Sequence, residues 1–151
     1  MEPNEPTLQA KTKGGAADLR SFLSELEEAD LTAVVTGGWT VSAVLAHLAF
    51  WDRWVVERWN SFQRTGSLDD LPDTIVELIN AAAEPLWLAL PPATARVFAV
   101  TASESVNETI QALGPAAVHM ALETGRLHML DRTRHWNAHM TEVQHSLTSP
   151  A

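Results

Sequence analysis

The chain has no cysteine and no tyrosine. Without a thiol it can form no disulfide, no thiolate-ligated zinc or iron–sulfur site and no thiol nucleophile of its own, so any thiol chemistry needs a thiol from outside. Basic residues are scarce: ten Lys and Arg stand against nineteen Asp and Glu, a formal charge of −9. Phosphate recognition needs a basic patch, so nucleic acid is not expected as a partner, and neither is an anionic membrane surface. A membrane span is also missing. The stretch 31–51 carries no Asp, Glu, Lys or Arg, but Thr36-Gly37-Gly38-Trp39-Thr40 breaks it and the apolar residues beyond fall on one face. The opening Met1-Glu2-Pro3-Asn4-Glu5-Pro6 is acidic and polar, with no apolar core of a signal peptide, and a cytoplasmic location is expected.

What is present is ordinary globular composition, with 46% apolar and 19% charged residues over 151 positions, enough for a single domain with its own core. Strand signals are poor, because no Asn-Gly or Asp-Gly turn occurs and period-2 alternation is rare. Helical spacing recurs instead. Leu19, Phe22, Leu23 and Leu26 form one stripe. Gly14-Gly15 would weaken a helix by roughly 1 kcal/mol each, so residues 1–13 are expected to be loose or disordered. The clearest helix follows Thr40, a suitable N-cap, through Val41, Val44, Leu45, Leu48, Trp51, Val55, Trp59 and Phe62, and should end near Gly66. Asp69-Asp70-Leu71-Pro72 reads as a connector. A short helix capped by Asp73 follows, interrupted by Pro85 and Pro91-Pro92. Residues 93–113 read as a third long helix burying Val97, Val106, Ile110 and Leu113, ended by Gly114-Pro115. A fourth runs from Asp131 or Arg132 to about Leu147, with Trp136, Met140, Val143 and Leu147 as its stripe. Four long amphipathic segments describe an all-α four-helix bundle.

Six histidines are available, and two of them, His135 and His139, stand four residues apart on one helix face, where two imidazoles can close on a single metal ion. His145 should face solvent. His128 is about 10.5 Å of helix rise from His135, too far to share an ion with it. His119 follows the Gly-Pro break and has no evident partner. Trp136 follows His135 where a zinc protease needs Glu, which removes that reading. His47 lies beside the stripe of its helix, and a bundle that brought it opposite the pair would create a three-histidine site with an open position. Glu142 falls on the flank of the pair, as a hydrogen-bond acceptor for a ligand or as a base for metal-bound water. Asp131 suits a helix start. Asn80 and Asn107 could line a pocket, and Trp51 and Trp54, following His47 on the same helix, could wall one beside the metal.

Gly38-Trp39-Thr40-Val41, Val44-Leu45-Ala46-His47-Leu48-Ala49 and Trp51-Asp52 resemble the second-helix signature of the DinB-like superfamily, which includes YfiT-like proteins and the N-terminal region of mycothiol-dependent maleylpyruvate isomerase. His135-Trp136-x-x-His139 resembles its second signature, about 88 residues on. The similarity covers 38–62 and 132–143. It implies an up-down-down-up bundle, a divalent metal, zinc or nickel, on His47, His135 and His139, and a homodimer. In the thiol-dependent branch it implies an S-transferase acting on a small electrophile with mycothiol or bacillithiol, which agrees with the absence of an intrinsic thiol. The chain ends soon after the last helix, so the additional C-terminal domain of the maleylpyruvate isomerases is expected to be absent and isomerase activity is less favoured. A metal-dependent hydrolase, or a stress-response protein that holds a metal or small ligand without turnover, is the alternative.

Overall fold

A computed structural model describes residues 5–69 and 71–149. Those residues form α1 (Leu8–Glu25), α2 (Glu28–Leu31), α3 (Val41–Thr65), α4 (Asp73–Ala89), α5 (Pro92–Gln111), α6 (Pro115–Glu123), a 3-10 turn at Leu127–Met129, and α7 (Thr133–Thr148). There is no strand among the described residues beyond an isolated bridge between Val34 and Thr40. The protein is therefore all-helical, as its spacing predicts. Residues 1–4 of the N-terminal stretch and Asp70 of the expected connector lie outside the described residues.

The long helix α3 follows its sequence signals closely. Thr40 Oγ1 accepts the Ala43 amide at 3.1 Å, and Gly66 closes the helix in the left-handed conformation. Two consecutive glycines, Gly37 and Gly38, hold positive φ in the turn before it, a geometry that side chains with a Cβ resist. That turn presents Trp39, whose carbonyl accepts the Val35 amide at 2.8 Å. Helix α3 packs most extensively along α5, α1 packs on α5 and α7, and α7 also touches α3. The core between them centres on Leu19, Leu23, Val44, Leu45, Trp59, Val106, Ile110 and Trp136.

Four expectations are corrected. Residues 8–13 are not loose: α1 starts at Leu8 with Thr7 as its cap and runs through both glycines. Tertiary contacts outweigh the local propensity, since Gly15 lies so close to α7 that a Cβ there would sit 2.5 Å from Thr133 Cγ2. Thr12, fully buried, donates to Leu130 O at 2.7 Å and accepts the Arg132 amide at 3.1 Å. The helix after the connector is not short and Asp73 does not cap it: Pro72 holds the cap position without a side-chain bond, and Asp73 is the first helical residue. Pro85 does not interrupt α4, which continues to Ala89, where Trp87 is buried in the core. Val97 is exposed: the buried face of α5 is Ala95, Ala99, Ala102, Val106 and Ile110, and two residues from Ala95 or Ala99 is the opposite side of a helix. The Gly114-Pro115 break follows the end of α5 as expected, and in addition starts a further short helix, α6, with Pro115 in its first turn, where a missing N–H costs nothing.

Candidate metal centre

His47 comes from the middle of α3, and His135 and His139 from the first half of α7. The expectation that the fold brings His47 opposite the pair is met: one ring nitrogen from each histidine lies within 4.8 Å of the others. Nε2 of His47 is 3.1 Å from Nε2 of His135, and the three ring centroids are 4.8 to 5.1 Å apart. In a tetrahedral set with nitrogens at 2.0–2.1 Å from one ion the nitrogens stand about 3.3–3.4 Å apart, so the His47 and His135 pair is already near that spacing and the remaining separations must shorten by up to roughly 1.5 Å to close the set on a single ion.

The surroundings keep these rings neutral. Burial, with His139 and Arg132 nearby, lowers His47 from its ordinary 6.5 to about 3. Burial, then Arg132 and the other two histidines, lowers His135 to about 2. His139 is also lowered by burial, against the opposing pull of Glu142. Neutral imidazole is the form that offers a lone pair to a metal. Three such donors from two helices, with no thiolate in the chain, fit a divalent ion of the zinc or nickel type.

Each histidine has a different support. Glu142 Oε2 lies 3.3 Å from His139 Nδ1, so that ring donates from Nδ1 and keeps the Nε2 lone pair for a ligand. His135 Nδ1 is 3.2 Å from an Arg132 guanidinium nitrogen. Arg132 is buried and donates through Nε to Asp52 Oδ1 at 2.9 Å, while Asp52 Oδ2 accepts from Trp136 Nε1 at 2.8 Å. Burial pushes the Asp52 carboxyl above its ordinary range, and Arg132 and both hydrogen bonds pull it back. His47 is packed edge-on by Trp39 and Trp87 at centroid distances of 5.3 and 5.1 Å, and its buried Nδ1 has no hydrogen-bond partner. Trp39 is in turn held through Nε1 by Glu84 Oε1 at 2.9 Å.

His47 and His135 border a cavity of about 710 Å³. Trp51 and Trp54 line it as the sequence suggests, and Asn80 lines it too, accepting from Trp51 Nε1 at 2.8 Å. Asn107 is elsewhere, bonded to Gln111. His128 also borders the cavity, outside the three-histidine cluster. His145 is exposed as expected. His119 has a partner after all, Glu123 one turn on in α6, at 3.1 Å on the surface. Asp131 serves the helix start, accepting from the Thr133 amide and hydroxyl.

Helical spacing alone does not mark Asp52, Arg132, Trp39 and Trp87 as supports of the site. Asp52 carried a readable signal: it occupies the buried stripe of α3 in register with Leu48, Val55 and Trp59, and a carboxylate there requires a buried partner. Which partner, 80 residues away, no local pattern discloses.

No curated protein and no solved structure matches the chain. The sequence profile of the mycothiol maleylpyruvate isomerase N-terminal domain matches residues 13–144, which include all three histidines and Glu142. On that match the chain belongs to the mycothiol maleylpyruvate isomerase N-terminal domain family, within the DinB/YfiT-like superfamily.

Proposed function

We propose that His47, His135 and His139 hold one divalent cation, zinc or nickel, and that the protein is a metal-dependent S-transferase joining a low-molecular-weight thiol to a small electrophile. The observation that carries this reading is the convergence of three neutral imidazoles from two helices, two of them, His47 and His135, at the wall of a cavity of small-molecule size. Family membership supports a mycothiol-related, metal-dependent enzyme, and mycothiol or bacillithiol is the thiol to test first. When bound, a divalent ion supplies a Lewis acid that favours the deprotonated form of a thiol or of water.

The chain's own residues then have separable roles. Glu142 orients His139 through Nδ1, a role its position supports better than that of a base. Trp39 and Trp87 exclude water from one side of His47. Trp51 and Trp54 offer apolar walls to the electrophile, and Asn80 fixes Trp51. We read α1, α3, α5 and α7 as an up-down-down-up bundle forming one domain, with the equally long α4 packed on α3, in a cytoplasmic homodimer. The exposed Leu78, Leu86, Val97 and Phe98 support a partner copy, which sedimentation would detect. No helix among the described residues is long and apolar enough to cross a membrane.

Protein purified without a polyhistidine tag should carry about one divalent ion per chain by elemental analysis, and His135→Ala should lose it. Full retention by the variant would refute the site. Zinc- or nickel-loaded protein is then mixed with mycothiol, bacillithiol or simpler thiols and a generic electrophile. Thiol-dependent turnover supports the transferase. Turnover with water alone would make it a hydrolase, and tight binding without turnover a non-catalytic ligand-binding protein.

A further inference from the structure

We infer that the first half of α4, residues 73–81, is a hinged wall of the cavity that swings aside to admit a ligand and closes over it, pivoting ahead of Pro85 and latched by Asn80. Burial is the first observation. One of the seventeen residues of α4, Trp87, is buried, against thirteen of the twenty-five in α3, and α4 packs chiefly on α3. A helix with so little buried apolar surface opens locally, well below the free energy that unfolds the whole domain. Its two ends are held differently. Trp87 sits in the core against Trp39, His47 and Phe50, at ring-centroid distances of 5.4, 5.1 and 5.7 Å. Glu84 adds its bond from Trp39 Nε1 at 2.9 Å. The other end starts at Pro72 without a side-chain cap bond, and no residue from Asp73 to Leu86 is buried. Among the described residues, the one side-chain hydrogen bond from 73–81 to the rest of the protein is Asn80 Oδ1 accepting from Trp51 Nε1, at 2.8 Å.

The pivot lies between the two halves. Helix α4 passes through Pro85 unbroken, but a proline has no N–H to give to Ala81 O, and its ring crowds that carbonyl. The weakest turn of the helix therefore separates the anchored half from the loose one. The loose half is also the one that lines the cavity. Asp73, Val76 and Asn80 follow one another at spacings of 3 and 4, one face of a helix, and share the cavity with Trp51 and Trp54 of α3 and His135 of α7. Rotation ahead of Pro85 widens the mouth of the cavity while Trp87 stays on His47, so a ligand can exchange without disturbing the packing of the histidine cluster. Closure sequesters the reacting groups from water, the ordinary service of a mobile lid. Of the exposed residues that support a partner copy, Leu78 alone lies on the moving half, so a contact through Leu86, Val97 and Phe98 leaves the hinge free.

The hinge is tested on the metal-free full chain by hydrogen–deuterium exchange, read by mass spectrometry over the amides of residues 77–83. These should exchange at least about a hundredfold faster than the amides of residues 44–56 in α3, because a local opening reaches them. Pro85→Ala restores the missing donor and should slow them about tenfold or more. Asn80→Ala releases the latch and should speed them about twofold to tenfold, the range of one hydrogen bond. Both variants should leave the α3 amides as they are. Exchange over 77–83 as slow as in α3, or a rate indifferent to both substitutions, would overturn the hinge. If Pro85→Ala fails to fold, the wild-type ratio and Asn80→Ala still decide it. That the movement serves a substrate rests on the transferase reading, so zinc-loaded protein is titrated with mycothiol by calorimetry and its exchange is followed. Mycothiol at about ten times its Kd should slow residues 77–83 about tenfold and leave α1 unchanged. Binding without slowing would overturn the closure. Absence of binding would refute the mycothiol reading instead, and the metal-free exchange would still decide the hinge.

Discussion

Two adjacent glycines in α1 should respond to the same substitution with opposite sign. Nothing lies within 4 Å of where a Cβ on Gly14 would stand. Gly14→Ala therefore adds only helix propensity, about 0.5–1 kcal/mol, or a rise in Tm of roughly 1–4 °C for a domain of this size. At Gly15 the new Cβ would stand 2.5 Å from Thr133 Cγ2 and 3.4 Å from Trp136. Comfortable carbon contacts are about 3.5–4.0 Å, so α1 or α7 must move by about 1 Å. Thr133 gives way poorly, because its amide and hydroxyl both bond Asp131 Oδ1, at 2.9 and 2.5 Å. Overpacking costs about 1–3 kcal/mol, which outweighs the propensity gain and leaves Gly15→Ala roughly 1–2 kcal/mol below wild type. Urea unfolding at constant m-value measures both. Gly15→Ala combined with Thr133→Ser, which removes the offending methyl, should recover most of the loss. A Gly15→Ala protein as stable as wild type would show that α1 and α7 do not approach as described. The contact matters for function because Thr133 opens the helix that carries His135 and His139.

Acid should destabilise the metal-free protein well above the carboxylate range. The unfolded chain takes up protons on His47 and His135 below about pH 6.5, whereas the folded protein resists down to about 3 and 2. Stability conferred by the neutral rings is thus full above pH 6.5 and falls as pH drops, by about 2 kcal/mol for each ring at pH 5; an unchanged urea midpoint between pH 7 and 5 would contradict their burial. Asp52→Ala strands a buried guanidinium and the Trp136 N–H and should cost about 3–5 kcal/mol in chemical denaturation, with Asp52→Asn milder because it keeps an acceptor. A loss below about 1 kcal/mol for the alanine variant would mean that the ion pair is solvated.

The parts of the fold legible in sequence are those whose signals are local. Helix α3 has a cap, an unbroken stripe and a terminal glycine within 27 residues, and each does what its chemistry predicts. The His135 and His139 pair is readable because one helical turn places both rings. Pro85 and Gly14-Gly15 misled because their local penalties are real but small beside the packing of Trp87 and the close approach of α7. Val97 misled because hydrophobicity says which residues prefer burial, not which face the neighbours occupy. The cluster's third member needed the second-helix motif as well as spacing, and the Asp52–Arg132 pair joins groups 80 residues apart, information carried only by the assembled fold.

The packing of Trp39 and Trp87 on His47 has an optical consequence. With no tyrosine in the chain, its ultraviolet emission comes from six tryptophans, and two of them lie with ring centroids about 5 Å from an imidazole of the cluster. Open-shell ions such as nickel quench a neighbouring indole, whereas closed-shell zinc leaves it bright. The protein's own fluorescence would therefore serve as an unlabelled reporter of which ion the proposed site takes up and how fast it leaves.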